Sequence, residues 1–415
     1  MYQGISLRQA PPLGVVISFF LNAQYYLILA GISFFLELSP ITLVHCLTLG
    51  FLLLSVFGAI TQMLPVLAGI YLPKVRIVSA LTLIFMNLGI LLFIVGSGLI
   101  FKDSLLEFTF GLALGCISLG ILIFLGNVFY QARHITHKTP TIYYMFAALV
   151  VLVGLWIAGL TLGIKFVGFT WGLESQIWLL LTHRIFALSF VTLLIFGVIL
   201  QVLPMFYVAP AYPKIFYATI VPLLFALLLC GVVVGFLDEN LQNPIIYFFY
   251  ALLGVLLLSL GVMSLRILFL RKRKITEVSL WFWVFGFSNL IACALCCFGF
   301  LGGLDSTLPF LSKLVAFFAL GFVLSIIFAM MFKIVPFLTW FHLSFNGILE
   351  LPNMREIIPQ KAMKWHFTIF IVSYLGLLFS CFFVFASGLI LLGGLGIFYI
   401  SKAFRLYLCM LKTST

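Results

Sequence analysis

Long apolar runs alternate with short polar breaks along the whole chain, and the runs share one length class. Stretches of about 20 residues, enough to cross about 30 Å of hydrocarbon, fall at 13–36, 40–64, 76–101, 108–130, 141–164 and 176–203. Six more fall at 214–237, 244–270, 278–301, 310–339, 363–386 and 388–408, the last boundary resting on Gly388 and Gly393. Inside a bilayer every backbone N–H and C=O needs an internal partner, and these runs lack the alternation of a membrane barrel, so they must be helices. The pattern predicts an all-α polytopic membrane bundle of about twelve transmembrane helices, a single membrane domain over residues 1–415 in contact with the lipid bilayer.

Composition agrees, since 65% of residues are hydrophobic and only 8% charged, too little polar surface to clothe a water-soluble globule of this size. The net charge of +12 suggests nucleic acid only until the cations are sorted by side. Arg8, Lys74, Arg76, Arg133, Lys138, Lys214, Arg271 to Lys274, Arg355, Lys361, Lys364, Lys402, Arg405 and Lys412 fall on one side, 16 in all, against Lys102, Lys165 and Lys313 on the other. By the positive-inside rule this places the protein in the inner (cytoplasmic) membrane with both termini in the cytoplasm. Nucleic acid is not an expected partner. The first apolar run lacks a short hydrophobic core with a small-residue cleavage site, so no cleavable signal is expected.

The second, sixth and tenth spans read as copies of one unit. Residues 49–67 (LGFLLLSVFGAITQMLPVL) match 188–206 (LSFVTLLIFGVILQVLPMF) at nine of nineteen positions and 320–338 (LGFVLSIIFAMMFKIVPFL) at seven. Each ends with a polar residue three before a proline: Gln62 with Pro65, Gln201 with Pro204, Lys333 with Pro336. The offsets (201 − 62 = 139 and 333 − 201 = 132) are about four spans each. Four crossings restore the original direction, so the expectation is three parallel four-helix repeats, approximately 1–138, 139–274 and 275–415.

Ionisable groups inside lipid are costly, so each needs a partner or a task. His45 opens the second span about 20 residues before Pro65, hence about 30 Å away at the other membrane face. Counting from the prolines, His45 aligns with Arg184, one residue from His183. Neutral imidazoles near the outer leaflet suit axial ligation of haem iron or binding of copper, and Arg184 suits a haem propionate; tying helices together is the structural alternative. Gln62, Gln201 and Lys333 either satisfy carbonyls freed by the prolines or line a polar path. His342 and His366, like the pair His134 and His137, are expected at the cytoplasmic surface. Eight cysteines read as buried small hydrophobes, although Cys293, Cys296 and Cys297 share a helix face that could bind a soft metal or form a redox pair. No Walker A loop, H-E-x-x-H pair or G-x-S-x-G elbow occurs.

With twelve spans in three parallel units and a second span that reads HCLTLGF and ends QMLPV, the chain resembles subunit I of the haem-copper oxidase superfamily. It is similar in particular to its smaller divergent relatives, including the NnrS family associated with nitric oxide and haem. The resemblance covers the whole chain in layout and the second, sixth and tenth spans in motif. It implies His45 as a ligand of low-spin haem b and His183 as a copper ligand. Departures accompany it: Ala187 stands where the oxidases have tyrosine, the seventh span (PKIFYATIVPLLF) has no His-His pair, and 310–339 has no histidine. The resemblance therefore implies neither an oxygen nor a nitric oxide reductase of the standard kind. It implies a haem- or copper-binding membrane protein linked to respiration or to nitric oxide and haem handling, with respiratory-complex subunits as partners. A transporter and a cofactor-free accessory subunit are the alternatives.

Overall fold

The computed structural model describes residues 11–98, 104–135, 138–167, 176–234, 239–303, 313–348 and 350–414, and forms no strand among them. Arg8, Lys102 and His137 lie outside the described residues. Ten helices follow in order: α1 Leu13–Phe35, α2 Pro40–Ala68, α3 Val75–Gly98, α4 Ser104–Ala132, α5 Pro140–Phe166, α6 Gln176–Tyr207, α7 Lys214–Val234, α8 Glu239–Phe269, α9 Val278–Leu301 and α10 Lys313–Phe345. After a one-turn helix at Met354–Ile357, α11 Gln360–Leu378 and α12 Phe382–Ser414 complete the chain. Eleven of these helices are long and apolar enough to cross a membrane. The twelfth, α11, has 19 residues and spans about 28 Å at 1.5 Å per residue; its first turns carry Lys361, Lys364 and His366, which dilute its apolarity. The chain is an integral membrane helical bundle.

Two expected boundaries move. The break before α12 falls at 379–381, where Ser380 takes φ 59° and the Cys381 N–H returns to the Gly376 carbonyl at 2.6 Å. Gly388 and Gly393 lie inside α12, at sites of close approach rather than at a turn. A Cβ at Gly388 would stand 2.3 Å from Ser373 Cβ, and one at Gly393 2.7 Å from the Gln24 carbonyl. Small residues let membrane helices touch along their backbones, and a sequence pattern alone reads such glycines as breaks. The tenth helix also runs past its proline to Phe345 and so takes in His342.

By contacts the chain divides into two compact units, 1–137 with 277–282 and 326–415, and 138–276 with 283–325. The last third of the chain is divided between the two units.

In the first unit, Tyr26 of α1 donates to Asn87 Oδ1 of α3 at 2.8 Å, Thr42 of α2 meets Ser97 of α3 at 2.9 Å, and Phe57 stacks on Phe124 of α4 at 3.9 Å. The second unit is held by glycine contacts between α5 and α6, where Gly154 meets Phe186 and Gly197 meets Tyr144. Tyr144 donates onward to the Tyr217 carbonyl of α7 at 2.5 Å, and Trp178 Nε1 of α6 to the Val232 carbonyl at 3.0 Å.

Candidate functional site

Each of α2 and α10 contains a π-helical segment, Cys46–Leu53 and Ala316–Leu324. Lys333 lies 271 positions after Gln62 (333 − 62), and the same shift carries 46–53 onto 317–324. Gly50 and Gly321, equally related, mark the point where the preceding helix comes closest. A Cβ at Gly50 would stand 2.3 Å from Tyr26 Cγ, and one at Gly321 2.4 Å from Asn289 Oδ1. In α6 the equivalent position is Ser189, and the helix runs through it in regular α form.

This local difference turns His45 and His183 to different sides of their own helices. A π turn closes i to i+5 and so absorbs one residue more than an α turn. Counted back from the prolines with one such residue absorbed, His45 takes the angular place of Ile185, two positions from His183 and about 200° around the helix axis. Contacts agree with that rotation. The His45 ring packs at a tilt of 37° against Phe93 of α3, centroids 4.6 Å apart, whereas the His183 imidazole rests on Gly159 of α5, where a Cβ would approach its Cε1 to 3.0 Å. His45 belongs to the first compact unit, and His183 and Arg184 to the second. Arg184 is exposed.

The His45 ring is oriented by its own helix. Its Nδ1 lies 2.8 Å from the Ile41 carbonyl, and donation there leaves Nε2 as the basic nitrogen. That arrangement is the usual support of a metal-bound imidazole, and Nε2 is the nitrogen that could bind a metal. Among the described residues no group of three or more His, Cys, Asp or Glu could hold a metal ion.

At their prolines α2, α6 and α10 differ. Lys333 pairs with Glu277, the residue just before α9, and Arg355 stands 3.6 Å from the other carboxylate oxygen. The Glu277 side chain is only 8% exposed and that of Lys333 18%. Gln62 is buried with no partner for Oε1, and Gln201 is half-buried. Glu277 is the functional candidate that sequence reasoning missed. Its signal was a carboxylate immediately before a helix, at the end that the helix dipole makes favourable to negative charge, in a chain whose membrane lysine needed a counter-charge.

His342 and His366 overturn their surface assignment, since both are buried, His366 to 1% exposure. The run Gln360 to Lys364 made α11 look peripheral, but His366 falls on its inner face, edge-on to Phe328 at 4.5 Å and Phe332 at 5.0 Å. In the second unit Cys293 and Cys297 are buried, the Cys293 thiol donating to the Leu314 carbonyl at 3.9 Å, and Cys296 is half-buried. That placement suits packing at one turn of α9.

No protein-family model and no curated protein sequence matches this chain.

Proposed function

We propose that this chain is a haem-binding protein of the inner membrane, with its termini in the cytoplasm, built on three parallel four-helix repeats and related to haem-copper oxidase subunit I. The observation that carries the reading is the state of His45: Nδ1 is committed to the Ile41 carbonyl at 2.8 Å, and the residue immediately precedes the π segment Cys46–Leu53. π segments occur frequently at functional sites. Their recurrence in α10 at the same register, around the paired glycines Gly50 and Gly321, supports the repeat. The 16 to 3 division of cations supports the orientation.

His45 would hold haem b from one side through Nε2, and the haem would supply one-electron or small-gas chemistry. Because His183 faces α5, it is assigned a separate role, copper ligation with Arg184 beside it. Neither assignment supplies the ligand set of a standard oxygen or nitric oxide reductase. Linkage to respiratory-complex subunits, or to nitric oxide and haem handling, rests on the family resemblance.

The test is the reduced-minus-oxidised absorption spectrum of detergent-purified protein, together with iron and copper analysis. A Soret band that disappears in His45→Ala and persists in His183→Ala is expected. Absence of any Soret band and of stoichiometric iron, in protein purified from haem-replete cells, overturns the reading. Transport is the second reading, and the buried carboxylate Glu277 with Lys333 and Arg355 favours it over a cofactor-free accessory role. Flux in liposomes that survives His45→Ala and fails in Glu277→Gln would select it.

A further inference from the structure

Cations of the second compact unit gather at one end of its helices: Lys138 before α5, Lys214 at the start of α7, Arg266 in the last turn of α8, and the run Arg271 to Lys274 just after it. The unit's carboxylates do not follow them. Glu174, Asp238, Glu239 and Asp305 fall in sequence where α5 leads to α6, α7 to α8 and α9 to α10, and because each crossing reverses the chain, those stretches belong to the other side. Glu277, the nearest carboxylate in sequence to the run, is already engaged by Lys333 and Arg355. The second unit therefore supplies no carboxylate of its own to these cations.

Backbone and side-chain bonds hold the cluster in place. The Lys272 N–H donates to the carbonyl of Val208, a residue at φ 51°, over 3.0 Å, and Tyr212 donates to Ser264 Oγ at 2.9 Å. These bonds tie the connection between α6 and α7, which leads into Lys214, to the end of α8, which leads into the run. Arg271 Nη1 caps α8 by donating to the Leu268 carbonyl at 3.1 Å, and its Nε meets no acceptor in the protein. Lys214, Arg266, Lys272, Arg273 and Lys274 are exposed. Orienting a chain in the bilayer needs only the number of cations near the helix ends, so topology accounts for their count but not for a backbone that fixes them. Phe269 and Leu270 before the run and Ile275 after it are 59%, 55% and 48% exposed. Apolar side chains on both flanks set the cations at the boundary of hydrocarbon and headgroups. An acidic protein or a nucleic acid would answer the charges and leave the apolar flanks uncovered, whereas a lipid covers both.

We propose that the end of α8 and the connection between α6 and α7 bind the phosphate headgroup of an anionic phospholipid. The site is independent of the haem reading, and His45→Ala should leave it unchanged. Full-length protein in detergent would be incubated with equal amounts of phosphatidylglycerol and phosphatidylcholine, and the retained lipid counted by native mass spectrometry. Preferential retention of phosphatidylglycerol is expected, and it should persist in millimolar inorganic phosphate, which separates a lipid site from one for the free ion. Each cation near a membrane surface contributes about fivefold in lipid affinity, so Lys272→Gln/Arg273→Gln/Lys274→Gln should lower the preference by about tenfold or more. Lys402→Gln/Arg405→Gln/Lys412→Gln on α12 of the first unit changes the net charge equally and should leave it within about twofold. If the first triple variant fails to fold, the single variants Lys272→Gln and Lys274→Gln, each about fivefold weaker, decide in its place. Equal retention of the two lipids by wild type, or equal loss in the two triple variants, overturns the proposal. Displacement of the lipid by inorganic phosphate overturns it in favour of a free-ion site, and absence of a lipid preference with binding of a short oligonucleotide that the first triple variant loses assigns the face to a soluble polyanion.

Discussion

Helices α2 and α6 agree at nine of nineteen aligned positions, yet they offer their histidines to different neighbours. In α2 a π segment around Gly50 lets Tyr26 pack against the backbone and turns His45 onto Phe93 of the following helix. In α6 the same register holds Ser189, the helix is regular, and His183 rests on Gly159 of the preceding one. Angular position on a helix is set by the count of residues per turn, so one absorbed residue redirects every side chain beyond it by about 100°. Aligned sequence therefore fixes depth in the membrane more firmly than direction. The same comparison extends to α10, which shares the π segment with α2 but ends in a lysine where the others have glutamine.

That ending provides the largest expected effect. Lys333→Met removes the closer cation from the buried Glu277 and leaves Arg355 at 3.6 Å. Removing one partner of a buried ion pair costs about 3–5 kcal/mol, here toward the lower figure because Arg355 remains and the Lys333 side chain is 18% exposed. Gln201→Met at the matching position of α6 removes no charge and should cost within about 1 kcal/mol. Thermal unfolding in detergent measures both, and Lys333→Met/Glu277→Gln should recover most of the loss. Equal destabilisation by Lys333→Met and Gln201→Met would show that the three proline ends are energetically alike, against the ion-cluster reading.

Next in size are the glycines of the π segments. Gly50→Ala places a Cβ 2.3 Å from Tyr26 Cγ, and Gly321→Ala one 2.4 Å from Asn289 Oδ1. Overpacking of this kind costs about 1–3 kcal/mol. Ser189→Ala at the equivalent point of α6, and Gly115→Ala, whose Cβ would meet nothing within 4 Å, should be near neutral. In Gly50→Ala the haem difference spectrum should weaken along with the melting temperature, because the segment that aims His45 is the one disturbed. A Gly50→Ala protein as stable as wild type would remove the packing explanation for the difference between α2 and α6.

Much of the bundle was legible because the bilayer imposes one length and one hydrogen-bonding rule on every crossing. Most of the expected spans sit within a few residues of their helices. The direction in which side chains point was not legible. Gly388 and Gly393 looked like a break because glycine frees the backbone, whereas here it admits a neighbouring helix. His366 looked interfacial because Lys361 and Lys364 precede it, but a helix places residues two positions apart on different faces, and its inner face is the buried one. Glu277 was passed over in a loop dominated by Arg271 to Lys274, and only the fold brings Lys333 and Arg355 to it. For His45 and His183 the prolines gave only an expected common depth. Their separation around the axis depended on a π turn that no residue pattern announced.

The smallest expected difference concerns how the helix before each proline helix is tied down. Tyr26 and Tyr144 both pack on a glycine, Gly50 and Gly197, and both hydroxyls reach a further helix, Asn87 Oδ1 of α3 at 2.8 Å and the Tyr217 carbonyl of α7 at 2.5 Å. Hydrogen bonds between membrane helices average about 0.6 kcal/mol. The two acceptors differ, however, in what remains after the bond is lost. A helical carbonyl such as that of Tyr217 keeps its own i+4 amide donor, whereas the Asn87 side-chain oxygen loses the tyrosine hydroxyl at a part-buried site, and stranding an acceptor costs more than losing a redundant bond. Tyr26→Phe should therefore destabilise by about 1 kcal/mol and Tyr144→Phe by about half that, read as melting temperatures in the same detergent. Adding Asn87→Leu to Tyr26→Phe removes the stranded oxygen and should bring the first pair level with the second. If it does not, the tie from α1 to α3 carries more than this bond, and the contrast between α2 and α6 reaches beyond the π segment.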